Sequence, residues 1–216
     1  MIPAMMPVDL PVLVAFLGAV SLLVLSPGPD TMLILRYTIG SGRGSGLATV
    51  AGVQAGLLIH TAAAVIGLSI LIAANPVALK VIAVIGALYL AWLGWQSFRA
   101  GTMAVGPATG DLVAPTKAFR DALFTNLFNP KVVLLFFALM PQFVRNNGWP
   151  VPMQLGLLGV SLILINALWQ TTITLLADGI RLWLARPATQ RAVSWATGAV
   201  LIVFALLMVA DFLLPR

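Results

Sequence analysis

The sequence predicts an all-α membrane protein: six transmembrane helices arranged as two inverted three-helix halves, with the first helix of each half interrupted. Three observations predict it. First, 61% of the 216 residues are hydrophobic and only 8% are charged, with a mean hydropathy of +1.05. A soluble domain carries about a quarter charged residues, so this chain lacks the polar surface for water. Second, the apolar runs are long and the polar stretches between them are short. A spanning helix needs roughly 20 mostly apolar residues, and about six such runs fit. They are too continuous for barrel strands. Third, proline-marked breaks interrupt two of the runs, at Ser26-Pro27-Gly28-Pro29-Asp30 and at Asn129-Pro130-Lys131. Proline removes a backbone donor and breaks the helical ladder. Lipid tolerates non-helical backbone only where protein or a water-filled cavity surrounds it.

Each element follows from local chemistry. Span one runs from Val8 to Leu25, meets its break, and resumes from Pro29 to Ile39. Gly40 to Gly46 reads as a glycine-rich turn carrying Arg43. Span two covers Leu47 to Ala74, and Asn75-Pro76 turns the chain. Span three covers Val77 to Phe98, with Tyr89, Trp92 and Trp95 toward its end, where aromatic rings favour the membrane interface. Arg99 to Thr116 is the longest polar stretch. Span four covers Lys117 to Val144, span five Met153 to Asp178, and span six Ala192 to Leu214. The chain therefore divides into one membrane domain, 1–216, with half one at 1–98, a cytoplasmic linker at 99–116 and half two at 117–216. An odd number of spans per half makes the halves cross in opposite senses, the topology of an inverted repeat.

Charge sets the orientation. Arg36, Arg43, Arg99, Lys117, Arg120, Arg181, Arg186 and Arg191 fall on one side; Lys80, Arg145 and Arg216 fall on the other. Positive-inside bias places the first group in the cytoplasm, so both termini face outward. The N-terminus lacks a basic region and a small-residue cleavage site, so the first apolar run reads as a retained span.

Composition also excludes function classes. The net charge of +6 is spread thinly over loops, with no basic stripe that would bind nucleic acid. All six acids are Asp, there is one His and there is no Cys. That is too poor a ligand set for a metal site, and it rules out thiol chemistry. No paired carboxylates or nucleophile–base cluster points to an enzyme, and no cofactor is expected.

The breaks carry the chemistry. Pro29 suits the first position of a new half-helix, which puts Asp30 and Thr31 in its first turn. Asn129 suits the N-cap of another, with Pro130 first and Lys131 next. Short or Pro-interrupted spans at corresponding places in two halves point to a transporter binding site. Pro27, Gly28, Pro29, Asp30, Asn129, Pro130 and Lys131 are accordingly the candidate substrate-binding residues. One carboxylate, one ammonium and two partly positive helix ends complement a zwitterionic amino acid. The structural alternative is that Asp30 and Lys131 pair with each other, or that Asp30 only caps its helix. Gln54, His60, Asn166 and Gln170 are candidates for a substrate path or proton relay, weighed against plain interhelical hydrogen bonding. Asp121 is placed to pair with Lys117 at i, i+4. Gly52-x-x-x-Gly56, with His60 on the same face, is a close-packing motif. It suits packing inside one chain better than a homodimer.

Beyond the two breaks, Asn126-Leu127-Phe128-Asn129-Pro130-Lys131, Met140-Pro141-Gln142-Phe143, the Gly46, Gly52, Gly56 and His60 series, and Gly86 to Gly94 complete a pattern over nearly the whole chain. The pattern resembles the lysine-exporter (LysE/RhtB) family of bacterial amino-acid efflux proteins. The resemblance implies secondary-active export of amino acids or close derivatives such as homoserine and its lactone, driven by proton antiport. Ala122 stands where that family often has Gly, which suggests slightly wider helix spacing there. A passive channel, or export of a cation or other small solute by the same fold, are the competing readings.

Overall fold

The computed structural model describes residues 8–25, 28–70, 76–99, 112–145, 149–177 and 186–213. Among them are eight α-helices and no strand: α1 (Leu10–Leu25), α2 (Pro29–Ser41), α3 (Arg43–Ala63), α4 (Pro76–Arg99), α5 (Pro115–Leu127), α6 (Pro130–Leu134), α7 (Val151–Leu175) and α8 (Pro187–Leu213). Pro27, Ser26 and most of the 99–116 linker lie outside the described residues, as do Asp178 and Arg181.

Three helices are long and apolar enough to cross a membrane, namely Arg43–Leu68, Val151–Leu175 and Pro187–Leu207. Two bent pairs qualify jointly. The axes of α1 and α2 differ by 51°, and those of Pro115–Leu127 and Pro130–Phe143 by 48°. The described residues thus hold three to five candidate spans, and the chain is a multi-pass membrane protein. Its exterior supports this. Leu10, Ile66, Ile70, Leu88, Leu164, Leu168 and Leu206 are all exposed, whereas Asp30, His60, Asn126, Gln154, Asn166 and Gln170 are buried. Apolar side chains outside and polar ones inside suit a lipid solvent.

Prolines start and bend the helices. Pro29, Pro115 and Pro130 each sit in the first turn of a helix, where the missing N–H costs nothing. After α6 the helix widens into a π-turn at Leu135–Leu139, then tightens into a 3₁₀ turn at Met140–Phe143. Pro141 explains the change, since it cannot donate to the carbonyl four residues earlier. A second π-turn, Ala64–Leu68, extends α3.

The expected seven-residue turn at Gly40–Gly46 is much shorter. Helix α2 runs on to Ser41 and α3 begins at Arg43, leaving Gly42 alone between them with φ +87°. Only glycine adopts that backbone without strain. The corner is pinned from outside: Val113 donates its N–H to Ser41 Oγ at 2.8 Å, and its carbonyl accepts from Ser45 Oγ at 2.6 Å.

The interior is centred on α3, which packs against α5, α2 and α7, while α4 packs against α8. A Cβ on Gly52 would strike the Phe119 carbonyl, and one on Gly56 would strike the Asn126 side chain. The Gly52-x-x-x-Gly56 face is therefore taken up inside the chain. Ala122 is fully buried opposite Gly52. The spacing that Ala122 suggested is offset, because Gly52 leaves room for its methyl. Helices α4 and α8 approach through Gly94 and Gly198, where a Cβ on either would meet the other's carbonyl. Asp121 pairs with Lys117 at 2.5 Å, and it also accepts from Tyr37 Oη at 2.6 Å, which ties α2 to α5.

Candidate functional site

The ends of both broken helices line one cavity of about 50 Å³. Leu23 and Val24 come from the end of α1, and Gly28, Asp30 and Thr31 from the start of α2. Asn126, Asn129 and Lys131 come from the second break, and Asn166 and Gln170 from α7. One water needs on the order of 10–15 Å³ by this kind of measure, and ligand pockets run to roughly 300–1,000 Å³. The cavity has room for a few waters. An amino acid requires its walls to part.

Asp30 is buried in the first turn of α2. Its Oδ2 accepts from Asn126 Nδ2 at 2.8 Å. Its Oδ1 is buried without a hydrogen-bond partner among the described residues, as are Asn126 Oδ1 and His60 Nε2. Asn129 neighbours the carboxylate, and both Lys131 and His60 lie within its electrostatic reach. Asn129 caps α6: its side-chain oxygen accepts from the Lys131 N–H at 3.1 Å. The Lys131 ammonium donates to the Leu23 carbonyl at 2.5 Å. It therefore reaches from the second break to the first.

The proposed site residues separate by geometry. Gly28, Asp30, Asn129 and Lys131 line the cavity. Pro29 and Pro130 start their helices with exposed rings and do not line it. Of the path candidates, Asn166 and Gln170 line it directly. Gln54 stands behind Gln170 and donates to its Oε1 at 3.0 Å. His60 is buried one layer away and stacks on Phe136 with ring centroids 5.4 Å apart. Thr174, four residues beyond Gln170 on α7, instead faces Gly46 and returns its hydroxyl to the Gln170 carbonyl at 2.8 Å.

Two participants were missed at the sequence level. Asn126 is the direct partner of Asp30, and its signal was its place in the last turn of the helix that leads into the second break. The Leu23 carbonyl is the other. Its signal was Pro27 four residues on, which has no N–H to give it.

An all-helical membrane protein with opposite charges lining one cavity between two interrupted helices belongs to the class of small-solute transporters. The comparisons with known proteins place it further. The family model described as LysE type translocator matches residues 21–211, and the chain belongs to that family. It is 31% identical over 201 residues to an uncharacterized membrane protein of Bacillus subtilis (strain 168), covering 89% of this chain and 95% of that one. It is 31% identical over 194 residues to the homoserine/homoserine lactone efflux protein of Salmonella typhi, covering 90% and 94%. It is 34% identical over 123 residues to the leucine efflux protein of Salmonella choleraesuis (strain SC-B67), covering 56% and 58%. No solved structure matches the chain.

Proposed function

We propose that the chain is a secondary-active exporter of a neutral amino acid or close derivative, of the homoserine or homoserine-lactone type, in the bacterial inner membrane. The observation that carries this reading is the cavity shared by Asp30 and Lys131 at the junction of two broken helices. A charge at membrane depth costs about 2.5–3.5 kcal/mol on insertion scales, so ionisable groups there mark function by default. The substrate ammonium meets Asp30, whose second oxygen awaits a donor. The carboxylate meets Lys131 and the amides at the start of α2. Membership of the family and the names of two relatives, a homoserine/homoserine lactone efflux protein and a leucine efflux protein, support the substrate class.

The same reading takes the six spans as two inverted halves. Helix α4, 24 residues long, supplies the remaining span beside the five candidates. Both termini face the periplasm. A cavity of about 50 Å³, too small for an amino acid, favours a carrier that alternates between two faces over an open channel. Asp30 is the proton carrier, and export exchanges one amino acid for proton entry.

The test is expression in cells loaded with an amino-acid mixture, with the medium assayed for the species that accumulates. Asp30→Asn keeps shape and hydrogen bonding but loses the charge; it abolishes export with membrane insertion intact. Wild-type export by that variant removes Asp30 from the site. If no amino acid accumulates above control cells, the substrate class is wrong. Export at full rate after an uncoupler collapses the proton gradient removes the coupling.

A further inference from the structure

Helix α1 ends at Leu25, and its last carbonyls have no intrahelical donors. The carbonyl of Leu23 would take its helical bond from residue 27, which is a proline. In this structure Lys131 fills that place, with its ammonium 2.5 Å from the oxygen. A cation at the C-terminal end of a helix also suits its partial negative charge. Leu23, Lys131 and Asp30 all line the same small cavity, and a Cβ on Gly28 would lie 3.9 Å from Lys131 Cδ. The cavity cannot take an amino acid until its walls part.

We infer that Lys131 is a positioning residue that trades acceptors, capping the Leu23 carbonyl of α1 in the empty carrier and turning to the carboxylate of the amino acid during loading. The inference rests on the reading of this cavity as an amino-acid site. Its consequence is that substrate uncaps α1. The ammonium contact with the substrate replaces the one that held the first broken helix closed, so binding energy is spent on opening rather than on affinity alone. A ligand moves a conformational equilibrium only by interacting differently with its two states, and this exchange supplies such a difference.

The test is hydrogen–deuterium exchange of the full chain in lipid nanodiscs, followed in peptides ending at Leu25, with homoserine as the probe. Losing a hydrogen bond to a charged group changes a local opening equilibrium by roughly tenfold or more. Lys131→Met therefore speeds exchange of the last turn of α1 by about that factor without substrate, while Lys131→Arg, which keeps the charge and the reach, restores it toward wild type. Unchanged exchange in Lys131→Met overturns the cap. In the wild type, saturating homoserine speeds exchange in the same turn, and in Lys131→Met it has no further effect there. Homoserine that protects other cavity segments yet leaves the last turn of α1 unchanged overturns the trade of acceptors. If homoserine alters no peptide while Lys131→Met still frees the turn, the substrate reading fails and the cap stands.

Discussion

Gly52 and Gly56 sit one turn apart on the same face of α3, yet alanine at each should fail for a different reason. At Gly52 the new methyl meets backbone: the Phe119 carbonyl carbon lies 3.0 Å from the built Cβ, and the Ala122 Cβ lies 2.9 Å away. Neither can swing aside, so α3 and α5 must separate. Overpacking of this kind costs about 1–3 kcal/mol, and each kcal/mol lowers Tm by roughly 2–4 °C in a chain of this size. Adding Ala122→Gly recovers only part, because the carbonyl clash remains. At Gly56 the atoms nearest the new methyl all belong to the Asn126 side chain, whose Cβ and Cγ would lie 3.0 Å from it. Rotation about χ1 moves its Cγ and Oδ1 clear, though not its Cβ, and takes the amide from Asp30 Oδ2, now 2.8 Å away. A hydrogen bond to a charged group is worth about 1.5–3 kcal/mol, a factor of at least ten in an equilibrium. Gly56→Ala is therefore expected to lose at least about tenfold in efflux with a smaller drop in Tm than Gly52→Ala. Both are read from amino-acid release by expressing cells and from thermal scans of the detergent-solubilised protein. Normal efflux by Gly56→Ala, or a Gly52→Ala protein as stable as wild type, refutes the reasoning.

Two further outcomes test the frame around the site. Gln154 is fully buried and clamps the chain ahead of α7: its Oε1 accepts from the Arg145 N–H at 2.9 Å, and its Nε2 donates to the carbonyls of Arg145 and Trp149 at 2.8 and 3.0 Å. Gln154→Leu strands those groups, each at a cost of about 1–3 kcal/mol when buried, and should lower Tm and raise tryptic cleavage after Arg145. Gly198→Ala should cost about 1–3 kcal/mol by pressing on the Gly94 carbonyl and the Phe98 ring. It should leave the substrate profile in a competition panel unchanged, since α4 and α8 do not line the cavity; a changed profile would bring that helix pair into the site.

Much of the site was legible because its markers are local. Pro29 and Pro130 announce helix starts through their missing N–H and fixed φ, and Asn129 announces an N-cap through its side-chain oxygen; all three occur as read. Asp30 and Lys131 stand out because a charge in an apolar run demands a reason. The Gly40–Gly46 turn was overread, since glycine count does not say which glycine carries the bend. The partnership of Tyr37 with Asp121 was invisible, because nothing within α2 or α5 reports their crossing.

From sequence by itself came the solvent, the helical class, the places where helices break and the charges left at those breaks. These follow from composition and backbone chemistry within a few residues. Tertiary structure alone decided which side of each helix faces inward, that Asn126 rather than another amide meets Asp30 across 96 positions, and that Lys131 reaches back to Leu23 across 108. The reason is physical. In lipid a helix is apolar all round, so the period that separates core from surface in water is lost. The inward face is then chosen by close contacts between small residues and by buried polar groups finding one another.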